Sequence, residues 1–192
     1  MAKRLPLRSC IAGAAVAGLI LTTAHAAEKG IKGLLDSLVV AAENRCSVYD
    51  RKSDYQPPAA LKWEIAKGFN TSADAAGRLA HPIPSPYRAN EFVRSLLDVD
   101  IEHIVAPAEA HDSGLCARST ETRAQFAHDL LNLTLSTPSE RHEKSGQDAA
   151  EWLPAVYRCW YVKRIILVKA RYSLTVDPAE DAALRRVLRE CG

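Results

Sequence analysis

Aromatic residues are scarce, at 6% of the 192 positions, so the candidate core positions are mostly aliphatic. There is no internal repeat and no low-complexity tract, which argues against solenoid and array architectures. No Cys-x-x-Cys pair occurs, which disfavours a structural zinc site. The one long apolar run, from Ile11 to about Leu21, is too short to span a bilayer. Nothing in the chain has the look of a DNA-reading helix or a separate recognition domain.

The length allows one domain of ordinary size, large enough to bury a real core. Hydrophobic residues at 47% and charged residues at 25% are average for a globular protein. Lys3, Arg4 and Arg8 precede the apolar run, and Ala24-His25-Ala26 follows it as a small-x-small cleavage site. This pattern reads as a secretory signal peptide over residues 1–26, with the mature chain, residues 27–192, forming a single domain without a membrane anchor. Cys10 precedes the apolar run and is badly placed for lipid attachment. The expected location is secreted or periplasmic. Cleavage removes three cations, leaving 22 Lys and Arg against 23 Asp and Glu, a net charge of −1. The basic balance of the precursor is therefore no nucleic-acid signal, and affinity for a polyanion needs a local patch or a metal.

Four cysteines remain: Cys46, Cys116, Cys159 and Cys191. An even number in an exported chain suggests two disulfides, with three pairings open. The preferred pairing is Cys46 with Cys116, pinning the N-terminal segment beside the strand at Asp100, and Cys159 with Cys191, clamping two C-terminal helices.

Helical periodicity predicts a helix over 30–44, with Leu34, Leu35, Leu38, Val39 and Ala42 in its stripe. Residues 50–58 end in Pro57-Pro58 and read as extended or loop. Leu61 to Ile65 suits a strand or a short helix. Gly77 and Pro82, Pro84 and Pro86 suggest an irregular surface loop over 70–85. Residues 89–99 read as helical, with Phe92, Leu96 and Leu97 inward, and 106–114 as a loop containing His111 and Asp112. A helix over 119–131 precedes a short strand at 132–136. Residues 140–147 read as a polar segment. Strong helical character runs from Asp148 to Tyr172, with Pro154 separating or kinking the first turn. Asp177-Pro178 caps a last helix to about Glu190.

The chemistry centres on Asp100-Ile-Glu-His-Ile-Val105, read as a half-buried strand. Asp100 and Glu102, two apart, share a face, and His103 takes the other. A carboxylate beside a histidine is a common way to hold a divalent metal next to a general base. Alone the hexapeptide says little, since charges on a strand are usually solvated. It gains force from its order with Glu109-Ala-His-Asp-Ser-Gly114, Phe126-Ala-His-Asp-Leu-Leu-Asn-Leu-Thr-Leu135, Lys144 and Asp148-Ala-Ala-Glu-Trp-Leu-Pro154. Together these resemble the HNH (ββα-metal) endonuclease family, in a secreted bacterial branch related to the nuclease domain of GmrSD-type enzymes. The resemblance extends from about Cys46-Ser-Val-Tyr-Asp-Arg51 to Cys191.

That resemblance implies an α+β fold: a ββα-metal core with flanking and C-terminal helices, stapled by disulfides. It implies His103 as general base, Asn132 as the amide that ties the loop after the first strand, and Glu102 and His142 as metal ligands. Asp100, Glu140 and Lys144 are further candidates, and Arg141, Lys144 and Arg123 are candidate phosphate contacts. A hard carboxylate suits Mg²⁺ or Mn²⁺, and histidine co-ligands admit Zn²⁺ or Ni²⁺. Relatives tend to carry an asparagine between the Thr-Leu strand and the lysine, but Ser139-Glu-Arg-His142 has none. His142 is the favoured replacement and Glu140 the reserve. The implied activity is metal-dependent hydrolysis of phosphodiester bonds in DNA, with RNA as the other substrate, by a monomer. The alternatives are an exported binding or structural module that keeps the fold without the chemistry, and a phosphoesterase acting on small substrates.

Overall fold

The computed structural model describes residues 30–191, and the signal-peptide segment lies outside them. The described residues open in a helix over 30–37 (α1), which ends earlier than the periodicity suggested. Beyond Leu38 the chain is extended instead, because it pairs with the C-terminal region: Ala41 donates to Val176 and Val176 to Val39. A one-turn helix, Arg51–Asp54 (α2), starts where the Asp50 carboxylate caps the Lys52 and Ser53 amides. Leu61–Lys67 (α3) resolves the strand-or-helix ambiguity in favour of helix.

The next stretch departs from the sequence expectation. Residues 78–84 form a strand, β1 (Arg78–Pro84), antiparallel to β2 (Phe92–Ser95). Pro82 and Pro84 are tolerated because a two-stranded ribbon leaves a free edge with no ladder bond to lose. In β2 the alternation of strands governs: Val93 is buried, while Phe92 and Leu97, expected inward, are exposed. Only Leu96 of the expected apolar trio is buried.

Asp100–His103 forms β3 and Leu133–Ser136 forms β4, antiparallel, with Glu102 opposite Thr134 and His103 opposite Leu133. Between them lie α4 (Pro107–Asp112), which replaces the expected loop, and α5 (Thr120–His128). Pro107 occupies the first turn of α4, where its missing N–H costs nothing. After β4, Thr137 and Glu140 form a reciprocal capping box with Pro138 in the first turn, launching α6 (Pro138–Lys144). Arg141 to Asp100 and Lys144 to Glu102 tie α6 back to β3.

The long C-terminal helix α7 begins only at Arg158 and ends at Tyr172. Residues 148–157 are turns, so Pro154 ends a separate segment rather than kinking a continuous helix. Asp177 caps α8 (Pro178–Arg189) through the Ala179 and Glu180 amides. Disulfides join Cys46 to Cys116 and Cys159 to Cys191.

Two apolar clusters meet at β3. Ile101 packs with Ile65, Ile83, Val93, Leu133 and Leu135. Ile104 and Val105 pack into the larger cluster, with Phe126, Tyr161, Ile166 and Leu184 among its members. The strand carrying Glu102 and His103 is thus clamped at both ends by buried aliphatic side chains, and this fixes where its polar groups emerge. The result is an α+β fold with two disulfide staples.

Candidate active site

A cavity of about 490 Å³ lies between the segment leading into α2, the end of β3, the start of α4 and helix α6. Tyr49, Arg51, Glu102, His103, Arg141 and His142 all line it. The fold therefore gathers His103, Glu102 and His142 from β3 and α6. It adds Tyr49 and Arg51, which sequence reasoning had noted without giving them a role. The sequence signal for those two was their place in Cys46-Ser-Val-Tyr-Asp-Arg51, where the resemblance begins.

His103 is 1% exposed and its ring is stacked parallel on Phe126, with centroids 6.0 Å apart. Its Nε2 lies 3.1 Å from the Ala127 carbonyl oxygen. A carbonyl can only accept, so Nε2 carries the proton and Nδ1 keeps its lone pair. Nδ1 is buried and has no hydrogen-bond partner among the described residues. Burial depresses the imidazole to about 3, against a smaller rise from the Ala127 hydrogen bond, so the ring is neutral at ordinary pH.

Asn132 is fully buried, and its carboxamide bonds both backbone groups of Val105. This fixes the chain just past His103.

Glu102 is 3% exposed, with the Lys144 ammonium 3.0 Å from its Oε1. Burial raises the Glu102 carboxyl, and Lys144, Arg51 and Arg141 oppose the rise. Lys144 is itself completely buried, so it neutralises Glu102 from below and offers no surface to a phosphate.

Other candidates do not join the group. The Glu140 carboxylate accepts from Ser85, from the Thr137 amide and from the Thr137 hydroxyl. Its oxygens are committed to the cap, which leaves His142, beside Arg141, as the α6 candidate ligand on the cavity. Asp100 pairs with Arg141 at 3.4 Å and does not line the cavity. Arg123 is spent on Asp54, the Arg118 carbonyl and Thr120. His111 is fully buried, with Nδ1 2.8 Å from the Tyr55 hydroxyl and Nε2 3.0 Å from the Ser47 carbonyl. It is a structural histidine, not a border of the cavity. Asp112 pairs with Arg45.

For a divalent cation, the cavity offers one carboxylate and one exposed imidazole. Mg²⁺ habitually takes few protein ligands and completes its shell with water and phosphate oxygens; of this pair, Glu102 already has the Lys144 ammonium 3.0 Å away. A separate acidic group, Glu43, Glu109 and Asp148, has one oxygen from each residue within 4.8 Å of the others. None of these residues lines the cavity, and the buried Lys169 ammonium, 2.6 Å from Glu109, already supplies positive charge there.

The comparison with family models decides the relationship. Residues 58–187 match "GmrSD restriction endonucleases, C-terminal domain". This chain belongs to that family. The match takes in β3, Asn132 and α6, and leaves Tyr49 and Arg51 just outside its start. The chain is also similar to an "Uncharacterized secreted protein" of the fungus Arthroderma benhamiae, 38% identical over 111 residues. Those residues cover 56% of this chain and 54% of the relative, so the chain spans about half the length of the curated relative it matches. That relative is fungal, whereas the motifs had suggested a bacterial branch. No solved structure matches the chain. Membership of the GmrSD C-terminal family points to nuclease-type chemistry. Among the described residues, no helix is long and apolar enough to cross a membrane.

Proposed function

We propose that the chain is an exported, metal-dependent endonuclease of the HNH type, hydrolysing phosphodiester bonds in DNA or RNA with His103 as general base. One observation carries the reading: the unpartnered Nδ1 of His103 belongs to a residue lining the same cavity as Glu102, His142 and two arginines.

The chemistry follows from that arrangement. A water oxygen attacks phosphorus as its proton passes to His103 Nδ1. The opposite phosphorus–oxygen bond breaks, and the leaving oxygen takes a proton from solvent. The Ala127 carbonyl holds the ring in the tautomer that presents Nδ1. Arg51, and Arg141 on exchanging its partner Asp100 for the phosphate, would face the non-bridging oxygens, whose charge grows as the pentacoordinate state forms. A base depressed to about 3 is weak in the free protein. The negative charge of an entering phosphodiester opposes the part of that depression that comes from Arg51 and Lys144. A divalent cation held by Glu102 and His142 would add Lewis-acid charge at the phosphate and the leaving oxygen.

A second reading has its own observation. The Lys144 ammonium already sits against Glu102, and no asparagine stands between Ser139 and His142. Both fit an exported module that keeps the fold without the chemistry. Plasmid cleavage by the oxidised mature protein, with Mg²⁺, Mn²⁺, Zn²⁺ or EDTA, separates the two. The nuclease reading requires cutting that EDTA and His103→Ala both abolish. A folded protein that cuts neither plasmid nor RNA with any of these metals belongs to the second reading.

A further inference from the structure

A second and larger cavity, of about 800 Å³, opens between α3, the end of β1, the turn before β4 and helix α7. Its walls include Ile65, Phe69, Leu130, Tyr157 and Trp160. Phe69, Leu130 and Tyr157 are 41%, 45% and 56% exposed, so the cavity presents aromatic and aliphatic surface to solvent. This volume suits a small organic group rather than a helix or strand.

Three features point to what that group is. First, Arg164 lines the cavity with its guanidinium 5.7 Å from the centre of the Trp160 ring. The other lining arginine, Arg171, is paired with Asp129 at 2.7 Å, and the lining Glu64 is paired with Lys67. Arg164 is in no ion pair among the described residues, although it is half-buried; desolvation lowers its pKa, and the field of Asp129, already paired with Arg171, opposes this only in part. A desolvated, unpaired cation stacked on an indole is a place for an anion with a flat partner.

Second, Thr134 lines the cavity at 2% exposure, and its hydroxyl has no hydrogen-bond partner among the described residues. A buried hydroxyl without a partner is costly, and a ligand that bonds to it removes the cost. Third, Tyr157 holds its backbone at φ 55° while more than half its surface is exposed. This is the N-cap position of α7, so the turn into that helix sets the exposed ring on the cavity wall.

The position of Thr134 ties this cavity to the catalytic one. Thr134 is directly opposite Glu102 in the β3–β4 ladder, and side chains opposite each other in an antiparallel pair project from the same face. The two cavities therefore adjoin the same two-stranded ribbon at the same pair of rungs, Glu102 and His103 lining one and Thr134 and Leu133 the other.

We infer that this cavity is a subsite for an unstacked nucleotide of a nucleic-acid strand, with Tyr157 and Trp160 stacking the base, Thr134 bonding its edge and Arg164 taking the phosphate. The inference rests on the nuclease reading and sharpens it: the preferred substrate is single-stranded, or has an unpaired base beside the cleaved bond. Duplex bases are stacked on one another and cannot enter, whereas stacking on protein aromatics is open to any single strand.

The test is fluorescence anisotropy of a labelled oligothymidylate and of an equally long duplex, titrated with the protein in EDTA so that no cleavage occurs. The expected result is binding of the single strand about tenfold tighter than the duplex. Tyr157→Ala and Arg164→Gln are each expected to weaken single-strand binding about tenfold, and Thr134→Val, which keeps the side-chain shape, by about threefold. Equal affinity for both substrates, no binding, or unchanged single-strand affinity in both Tyr157→Ala and Arg164→Gln overturns the subsite. The plasmid assay judges the nuclease reading separately. Single-strand binding that these variants lose, in a protein that cuts nothing, keeps the subsite and discards the nuclease.

Discussion

The Asn132 carboxamide forms a two-bond ring with the backbone of Val105: Oδ1 accepts from the Val105 N–H at 2.8 Å, and Nδ2 donates to the Val105 carbonyl at 3.3 Å. The Asn132 carbonyl accepts in turn from Ile104 N–H at 2.8 Å. The segment that leaves His103 is thus held by one residue, Asn132, through its backbone carbonyl at Ile104 and its side chain at Val105. Asn132→Ala leaves a buried donor and acceptor unpaired, which costs about 2–4 kcal/mol, roughly 1–3 for each group with partial relaxation. Asn132→Asp keeps the acceptor, but it sets a carboxylate against a carbonyl, and it should be no better. Urea denaturation checks the stability loss. If His103 is the base, cleavage measured where the variant remains folded falls as well.

Much of this local arrangement was legible because short-range rules govern it. The β-branched pattern around Ile101 gave the strand, although it ends at His103 and leaves Ile104 and Val105 outside it; Asp177-Pro178 gave the start of the last helix, and Asn132 sits at the expected start of a strand. What the sequence could not convey was context. The 89–99 segment spaces Phe92, Leu96 and Leu97 like a helix, but pairing with β1 imposes period two and leaves Phe92 and Leu97 outside. Residues 38–44 look helical until Val176 offers them a bridge. Sequence favoured His142 and kept Glu140 in reserve as a ligand; only the capping box shows that the Glu140 carboxylate is occupied. Tyr49 and Arg51 reach the cavity by a long-range approach that no local pattern encodes.

The buried His103 makes stability depend on acid. Its folded value of about 3 lies below the unfolded value near 6.5. Between those limits the unfolded chain takes up a proton that the folded chain refuses, so this residue's contribution weakens as pH falls from about 6.5 toward 3. The loss is on the order of a few kcal/mol. His103→Gln should flatten the stability profile over that window, measured by urea denaturation at stepped pH. A variant profile as steep as that of the parent would place the acid sensitivity elsewhere.

Glu102 and Lys144 form a buried pair, so removing one partner differs from removing both. Lys144→Met strands a buried carboxylate and should cost about 3–5 kcal/mol, whereas Glu102→Gln with Lys144→Met should recover most of that. Under the nuclease reading, the double variant remains folded and does not cut. Paired thermal melts and plasmid assays separate the structural role of Lys144 from the chemical role of Glu102. Cutting by the double variant at the parent rate would remove Glu102 from the proposed machinery.

A different buried ammonium sets the alkaline side of the stability profile. Lys169 lies between Glu109 and Glu180 and also donates to the Thr175 carbonyl at 3.0 Å. One ammonium cannot neutralise two buried carboxylates. Burial accordingly raises Glu180 to about 8, although Lys169 opposes it. Glu109, with Lys169 and several hydrogen bonds outweighing its own burial, is lowered. A raised carboxyl stabilises the fold while it is protonated. Its contribution is complete below the unfolded value near 4.5 and is lost as pH rises through about 8. Glu180→Gln, which keeps a neutral side chain at every pH, should therefore match the parent near pH 5 and exceed it near pH 9, by about 1–3 kcal/mol in urea denaturation. This trend runs opposite to that of His103, so the parent should be most stable in the mildly acidic range where the two windows overlap. A Glu180→Gln protein less stable than the parent at alkaline pH would mean that the Glu180–Lys169 attraction outweighs desolvation, and that Glu180 is ionised in the fold.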